Sequence, residues 1–284
     1  MAENKTKPDR KSIINQDDFL IKKKYSQNFL LDENIIDNII EKSGIDENTG
    51  VIEIGPGLGA LTKKLVLRAK KLLVYEVDDD LIPYLNKFFS EYDNFKLLHK
   101  DILKADINSD IEAYFKGVDK IIMISNLPYH ITTPIIMRFL EEINNVDSLT
   151  MMMQLEVAKR ITSKSNTKDY NALSVIIQHQ TNAKYLFKVP KTVFYPRPNV
   201  DSAVIKLEIK KEINNKDNID FYRFVHNCFT HRRKTLVNNL NFNYNTFSKE
   251  FFANLLIENQ INPLARAESI ELSDFTKIYK EFRK

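Results

Sequence analysis

Four short stretches hold side chains whose types and spacing can do chemistry together. EIGPGLGAL (53–61) carries Gly55, Gly57 and Gly59 between a strand-like and a helix-like run. Glycine there lets the backbone approach a ligand, and the amides of a helix start favour electron-rich groups. Glu76 lies 21 positions beyond Gly55, at the end of a second strand-like run. A carboxylate in that place accepts from both hydroxyls of a ribose. Asp101 ends a third run, in HKDIL, where it can take an adenine amino group with Ile102 against the ring. The fourth stretch is SNLPYHITTP (125–134), directly after the strand-like KIIMI. The glycine loop with Glu76 serves NAD(P) or S-adenosylmethionine equally, and Gly55, Gly57 and Ala60 satisfy a loose G-x-G-x-x-A pattern. The fourth stretch decides between them.

Asn126, Leu127, Pro128 and Tyr129 stand at the carboxyl end of that fourth run. Pro128 blocks strand pairing and leaves nearby carbonyls free to accept. The exocyclic nitrogen of adenine is a poor nucleophile, because its lone pair is delocalised into the ring. The side-chain oxygen of Asn126 and the carbonyl of Leu127 can hold its two hydrogens. The nitrogen is thereby drawn towards a tetrahedral shape and its lone pair aimed at a methyl group. A sulfonium donor supplies the electrophile, so the chemistry needs neither a metal nor a covalent nucleophile, and rate comes from positioning and electrostatics. Tyr129 can stack on the extruded base. Taken singly, Glu76 and Asp101 read equally as helix caps or solvated strand ends, and N-x-P-Y as a turn with a core tyrosine. Acids at two successive strand ends beside a glycine loop, in the crevice where open α/β sheets bind ligands, favour S-adenosylmethionine.

The elements that must position these groups alternate along the chain. Asp32 predicts a helix start, with Ile35, Ile36, Ile39 and Ile40 in helical spacing and Gly44 as its stop. Strands are predicted at 51–55, 72–77, 95–101, 120–126 and 148–154, with helices at 58–69, 79–92 and 133–143. Such alternation predicts an α/β fold, a mostly parallel sheet with helices on both faces. YLFKVP (185–190) and SAVIKLEI (202–209) are predicted to pair as a hairpin across a proline-rich loop. From about residue 210 the pattern turns helical to the end. The chain therefore divides into a polar tail over 1–20, a catalytic domain over 21–209 and a small helical domain over 210–284.

Composition narrows the classes. The chain has 284 residues, 43% of them hydrophobic, enough for one large domain with a small one. No apolar run reaches the 18 or more residues of a membrane span. The first residues are polar and lack a signal core, so a cytoplasmic, monomeric protein is expected. The single cysteine, Cys228, excludes an intrachain disulfide and a Cys-rich zinc site. Net charge is +3 over residues 1–24, −6 over 25–183 and +7 over 184–284. An acidic middle between basic ends suits a catalytic domain with nucleic-acid-gripping flanks. The basic tract HRRKTL (231–236) is predicted on a helix, with Arg232, Arg233 and Lys234 available for RNA phosphates, as are Lys22, Lys23 and Lys24. A solvated face is the bland alternative for both.

YSQNFLLD, EIGPGLGALT, YEVDDDL, DIL, SNLPYHITTPI, VFYPRPNVDSAV and FTHRRKTLVNNL, in this order, closely resemble the KsgA family. These are ribosomal RNA adenine dimethyltransferases that use S-adenosylmethionine. The likeness runs from about Tyr25 to Leu240. It implies a class I methyltransferase domain, Rossmann-like, followed by a small helical domain. It implies that Asn28, Leu30, Gly55, Glu76, Asp101 and Asn126 contact the cofactor, with Gln27 to Leu30 folding over its methionine end. Phe194, with Tyr195 as its rival, becomes the second aromatic face opposite Tyr129. His130 is not needed as a base, because the methylated amine loses its proton to water. The implied substrates are two adjacent adenines, each methylated twice, in a hairpin loop near the 3′ end of small-subunit (16S) RNA during subunit assembly. The rivals are an Erm-type enzyme acting on large-subunit (23S) RNA, a ribosome-assembly binding factor and a small-molecule methyltransferase.

Overall fold

Strands that will be covered on both faces read as unbroken apolar runs rather than as alternation. KIIMISN and SLTMMMQ are such runs, and they form the middle of the molecule. The computed structural model describes residues 28–211 and 215–283, with only the backbone for 215–218. The tail expected over 1–20, Lys22, Lys23, Lys24 and Gln27 lie outside the described residues.

A seven-stranded sheet has β2 (Thr49–Ile54), β3 (Lys71–Glu76), β4 (Phe95–His99), β5 (Lys120–Asn126) and β6 (Ser148–Gln154) parallel, in the order β4-β3-β2-β5-β6. The sheet continues with β9 (Ser202–Ile209), antiparallel to β6, and then β7 (Thr181–Val189), antiparallel to β9. The predicted hairpin is therefore present. A separate pair joins β1 (Phe29–Leu30) to β8 (Phe194–Tyr195), with Leu30 opposite Phe194. Alternate residues feed two cores. Ile52, Leu73 and Met123 enter one, and Val51, Leu72 and Ile122 enter the other.

The helices follow their local signals unevenly. In α1 (Glu33–Ser43) the Asp32 carboxylate accepts from the amides of Asn34 at 2.9 Å and Ile35 at 3.3 Å, and Gly44 ends the helix at φ 77°. The helix expected at 58–69 is regular only over Thr62–Leu65 (α2). The glycine loop runs left-handed through Gly59 at φ 73°, which delays the helix start. There a Cβ would lie 2.6 Å from the Phe89 ring, so only glycine lets the loop pack on α3 (Leu81–Phe89). Helix α5 (Thr132–Glu141) lies within a residue or two of its prediction.

Three helices went unread in the sequence. They are α4 (Ile107–Tyr114), α6 (Leu155–Thr162) and α7 (Ala172–Gln180). Helix α6 begins directly after Gln154, with no Gly or Pro to mark its boundary with β6. In α7 the residues Val175, Ile176 and Ile177 imitate a strand, but a capping box between Asn171 and Ser174 starts a helix.

After residue 210 the chain forms α8 (Asn215–Cys228), α9 (Leu236–Asn243), α10 (Lys249–Glu258) and α11 (Leu272–Phe282). Phe224, Phe252 and Phe275 are wholly buried in a third apolar cluster, which also takes in Tyr170, Val175 and Ile176. The HRRK tract corrects its prediction: residues 231–234 form the turn between α8 and α9, not a helix. Thr235 caps α9 by accepting from the amide of Asn238 at 3.3 Å, so a new helix begins where the tract ends. Among the described residues no helix is long and apolar enough to cross a membrane.

Candidate active site

Parallel strands point their carboxyl ends to one rim, and the groups singled out above converge there. A cavity of about 600 Å³ is lined by Asn28, Leu30, Gly55, Gly57, Glu76, Asp101, Ile102 and Asn126, and by Leu127, Pro128 and Tyr129. Gly55 and Gly57 have φ of 64° and 57°, the left-handed region that glycine adopts without strain. A Cβ on Gly57 would press on the Phe29 ring at 3.1 Å. Phe194 is not brought to the cavity wall. Its ring is buried at 4% exposure in the same core as Phe29 and Leu30, whereas Tyr195 is 45% exposed.

Glu76 closes β3 almost buried. Its Oε1 accepts from the amides of Val77 at 2.7 Å and Asp78 at 2.8 Å, and the Gly57 amide of the glycine loop also favours its charged form. Burial raises its pKa above the usual carboxylate range, and those amides oppose the rise. Glu53, on β2, lines the same cavity at 1% exposure, and its Oε2 has no partner among the described residues. Burial, reinforced by the charge of Glu76, pushes its pKa up to about 8. Two buried carboxyls on one wall, one with an orphaned oxygen, fit a ligand that brings hydroxyls and positive charge.

The opposite wall follows from the turn after β5. Asn126 Nδ2 donates to the carbonyl of Asn28 at 3.5 Å, so the acceptor side of the amide is the one available. Leu127 donates its amide to the Met152 carbonyl at 3.2 Å and buries its side chain. The carbonyl of Pro128 is taken by the Ile131 amide and the Thr132 hydroxyl, both at 3.2 Å. The carbonyl of Leu127 has no donor among the described residues. Tyr129 is fixed by a 2.7 Å hydrogen bond between its hydroxyl and Ser202 Oγ on β9. In turn Asp201 holds its segment through Lys188 at 2.8 Å and the Lys191 amide at 2.9 Å.

Sequence reasoning passed over three contributors. Glu53 lay in plain view inside EIGPGLGAL but reads there as an ordinary strand residue. Ser202 gave no sign of its tie to Tyr129. Arg138, within the expected helix at 133–143, donates Nη1 to the carbonyl of Ile102 and Nη2 to that of Ala105 at 2.6 Å, while Nε pairs with Glu142 at 2.8 Å. It thereby pins the cavity-lining turn 101–105 to the helix that follows Tyr129. Beside it, Lys100 and the Tyr75 hydroxyl share Asp110 at 2.6 and 3.1 Å. No local pattern marks an arginine that reaches 33 to 36 residues back.

Arg232, Arg233 and Lys234 are exposed and do not line this cavity. Arg232 is turned onto the protein, donating Nη2 to the carbonyl of Lys168 at 2.9 Å and facing Glu268 at 3.4 Å.

Comparison with known proteins places the chain in a family. Residues 18–284 match the model of the family described as ribosomal RNA adenine dimethylase. A ribosomal RNA small subunit methyltransferase A of Bacillus licheniformis is 43% identical over 277 residues, 96% of this chain and 95% of that protein. Its counterpart in Staphylococcus aureus is 41% identical over 278 residues, 96% and 94% of the two chains. Among solved structures, a dimethyladenosine transferase from Plasmodium falciparum superposes with a TM-score of 0.75 at 25% identity, covering 90% of this chain and 97% of that one. The 23S rRNA methyltransferase ErmE shares the fold, with a TM-score of 0.68 at 24% identity over 90% and 100%. These likenesses bear out the class I, Rossmann-like methyltransferase fold with a helical region after it. The chain belongs to the ribosomal RNA adenine dimethylase family.

Proposed function

We propose that this protein dimethylates two adjacent adenines in the 3′-terminal hairpin loop of 16S ribosomal RNA, using S-adenosylmethionine, while the small subunit is being assembled. The observation that carries this reading is the convergence of Asn126, the free carbonyl of Leu127 and the anchored Tyr129 on the cavity shared by Glu76 and the glycine loop. Family membership supports it, as do the names of the curated relatives. In this scheme S-adenosylmethionine supplies an electrophilic methyl group on a sulfonium.

The chain's own residues do the rest. Glu76 accepts from the ribose, and Gly55 and Gly57 let the backbone come close. Asp101 takes the adenine amine of the cofactor beside Ile102, and Asn28 and Leu30 cover the methionine end. Asn126 Oδ1 and the Leu127 carbonyl accept the two hydrogens of the target amine, so its nitrogen turns its lone pair out of the ring plane. Tyr129 holds the base flat, while Phe194, buried in the core and paired with Leu30, backs β1 rather than facing the base. The proton released after transfer leaves to water. Residues 21–209 form the catalytic part and 210–284 the RNA-gripping part, and the enzyme acts as a cytoplasmic monomer on the pre-30S particle.

Purified protein, radiolabelled cofactor and ribosomal subunits from cells lacking the gene test the reading. Label is expected in immature small subunits, as dimethyladenosine on two neighbouring positions by mass spectrometry. Label confined to purified 23S RNA would overturn the substrate assignment.

A further inference from the structure

Residues 229–235, the turn between α8 and α9, are held by two asparagines. Asn239, 1% exposed, donates Nδ2 to the carbonyls of Cys228 at 2.8 Å and His231 at 3.2 Å, and accepts from the His231 amide at 3.1 Å. Asn243 donates to the carbonyl of Asn227 at 3.1 Å and to the Thr230 hydroxyl at 2.9 Å. On this fixed turn His231, Arg232, Arg233 and Lys234 are all exposed. Arg232 is spent on joining the turn to the 163–170 loop through the carbonyl of Lys168. Arg233 and Lys234 have no acidic partner among the described residues, and the exposed Lys168 stands on the joined loop.

Phe242 adds an unusual neighbour. Helix α9 buries Leu236, Val237 and Leu240, at 0%, 3% and 0% exposure. Phe242 comes two residues after Leu240, about 160° round the helix from it, and is 64% exposed. Its ring meets the His231 ring edge to face, with centroids 4.9 Å apart and an interplanar angle of 71°. At most one face of Phe242 is covered by that contact. A flat apolar face, steadied by an imidazole on a turn that also carries the exposed Arg233 and Lys234, is complementary to an unpaired base and its phosphates.

We propose that Phe242 and the His231–Lys234 turn form a second RNA site, a platform on which one unpaired base stacks while Arg233, Lys234 and Lys168 take the flanking phosphates. Arg232 is a positioning residue that joins the two loops. This inference rests on the reading of the protein as an RNA methyltransferase.

The test uses the full-length protein with in vitro-transcribed 16S RNA and undermethylated small subunits, following binding by fluorescence anisotropy across a salt series. Phe242→Ala is expected to weaken binding about tenfold, and Phe242→Trp to hold it near wild type. Arg233→Ala and Lys234→Ala each lower the slope of log affinity against log salt by about one. Thermal melting of every variant stays at the wild-type value, since none of these side chains is in the core. Phe242→Leu matching wild type would overturn the stacking role and mark the patch as a generic apolar contact for a protein. Wild-type binding by Phe242→Ala, with the salt slope still falling in the lysine and arginine variants, would reduce the site to phosphates alone. If the wild-type protein neither binds nor methylates RNA, the parent reading fails, and the platform fails with it.

Discussion

The strand rim and the α8–α9 turn both present polar groups at the surface of the fold, but they do it in opposite ways. At the rim, Glu53 and Glu76 are nearly sealed from water and Asn126 and Tyr129 are tethered by hydrogen bonds. On the turn, His231 to Lys234 stand in solvent on a backbone that is itself tied down. A hydrogen bond or charge shielded from water discriminates by fractions of an ångström, and its loss is costly. A charge in solvent attracts phosphate over about 10 Å and gives little discrimination. On the two proposals above, the molecule separates selection of an atom from gripping of a polymer.

The sharpest way to break this contrast is Asn126→Ala. Methyl transfer is expected to fall roughly 100- to 1000-fold in single-turnover assays, while RNA affinity stays close to wild type. Near-normal turnover would remove Asn126 as an acceptor, and lost RNA binding would blur the two regions into one. Next in size is Glu76→Ala, which removes the ribose acceptor. Calorimetry should show affinity for S-adenosylmethionine falling about ten- to hundredfold, and an unchanged affinity would place the ribose elsewhere.

Arg138→Gln leaves every cavity-lining side chain in place but frees the turn 101–105 that Arg138 pins. The Michaelis constant for the cofactor is expected to rise about five- to tenfold, with kcat changed less. An equal fall in kcat would mean that Arg138 serves the chemistry rather than the fit.

The smallest effect concerns pH. Burial holds the Glu53 carboxyl protonated up to about pH 8. Its pKa is raised above the ordinary 4.5. Its contribution to folding stability is thus fully present below that value and declines as pH climbs towards 8. A cation entering the cavity favours the ionised carboxylate, so binding of S-adenosylmethionine releases a proton near neutral pH. Affinity rises severalfold at most as pH approaches 8, then levels. Calorimetry in two buffers of different ionisation heat reads the proton, and Glu53→Gln should abolish it. Proton release that persists in this variant would assign it to another group.

Where a local rule and the tertiary fold agree, the sequence already carried the answer. The buried strands at 120–126 and 148–154 match their predictions to the residue, because continuous apolar runs of that length are the pattern of a strand covered on both faces. The rim was legible for a related reason. A glycine loop, Glu76, Asp101 and Asn126 recur one per strand end, and parallel topology gathers strand ends automatically. What stayed hidden depends on partners far along the chain. Ser202 reaches Tyr129 across 73 residues, and Arg138 reaches back to Ile102 and Ala105. Helix α7 was missed because its Val-Ile-Ile core satisfies strand preference until the Asn171 cap is weighed. The HRRK tract is expected on a helix because the whole chain after about residue 210 reads as helical. Only the Thr235 cap and the Asn239 contacts disclose a turn.

One detail of the rim governs how repeated reactions proceed. The Tyr129 hydroxyl is bolted to Ser202 on an antiparallel strand in the body of the sheet, so this ring is an anvil rather than a swinging arm. If the enzyme strikes two neighbouring targets, each twice, as proposed above, it has no moving tool with which to follow them. On the function proposed above, the workpiece is what is lifted, turned and set down again between blows.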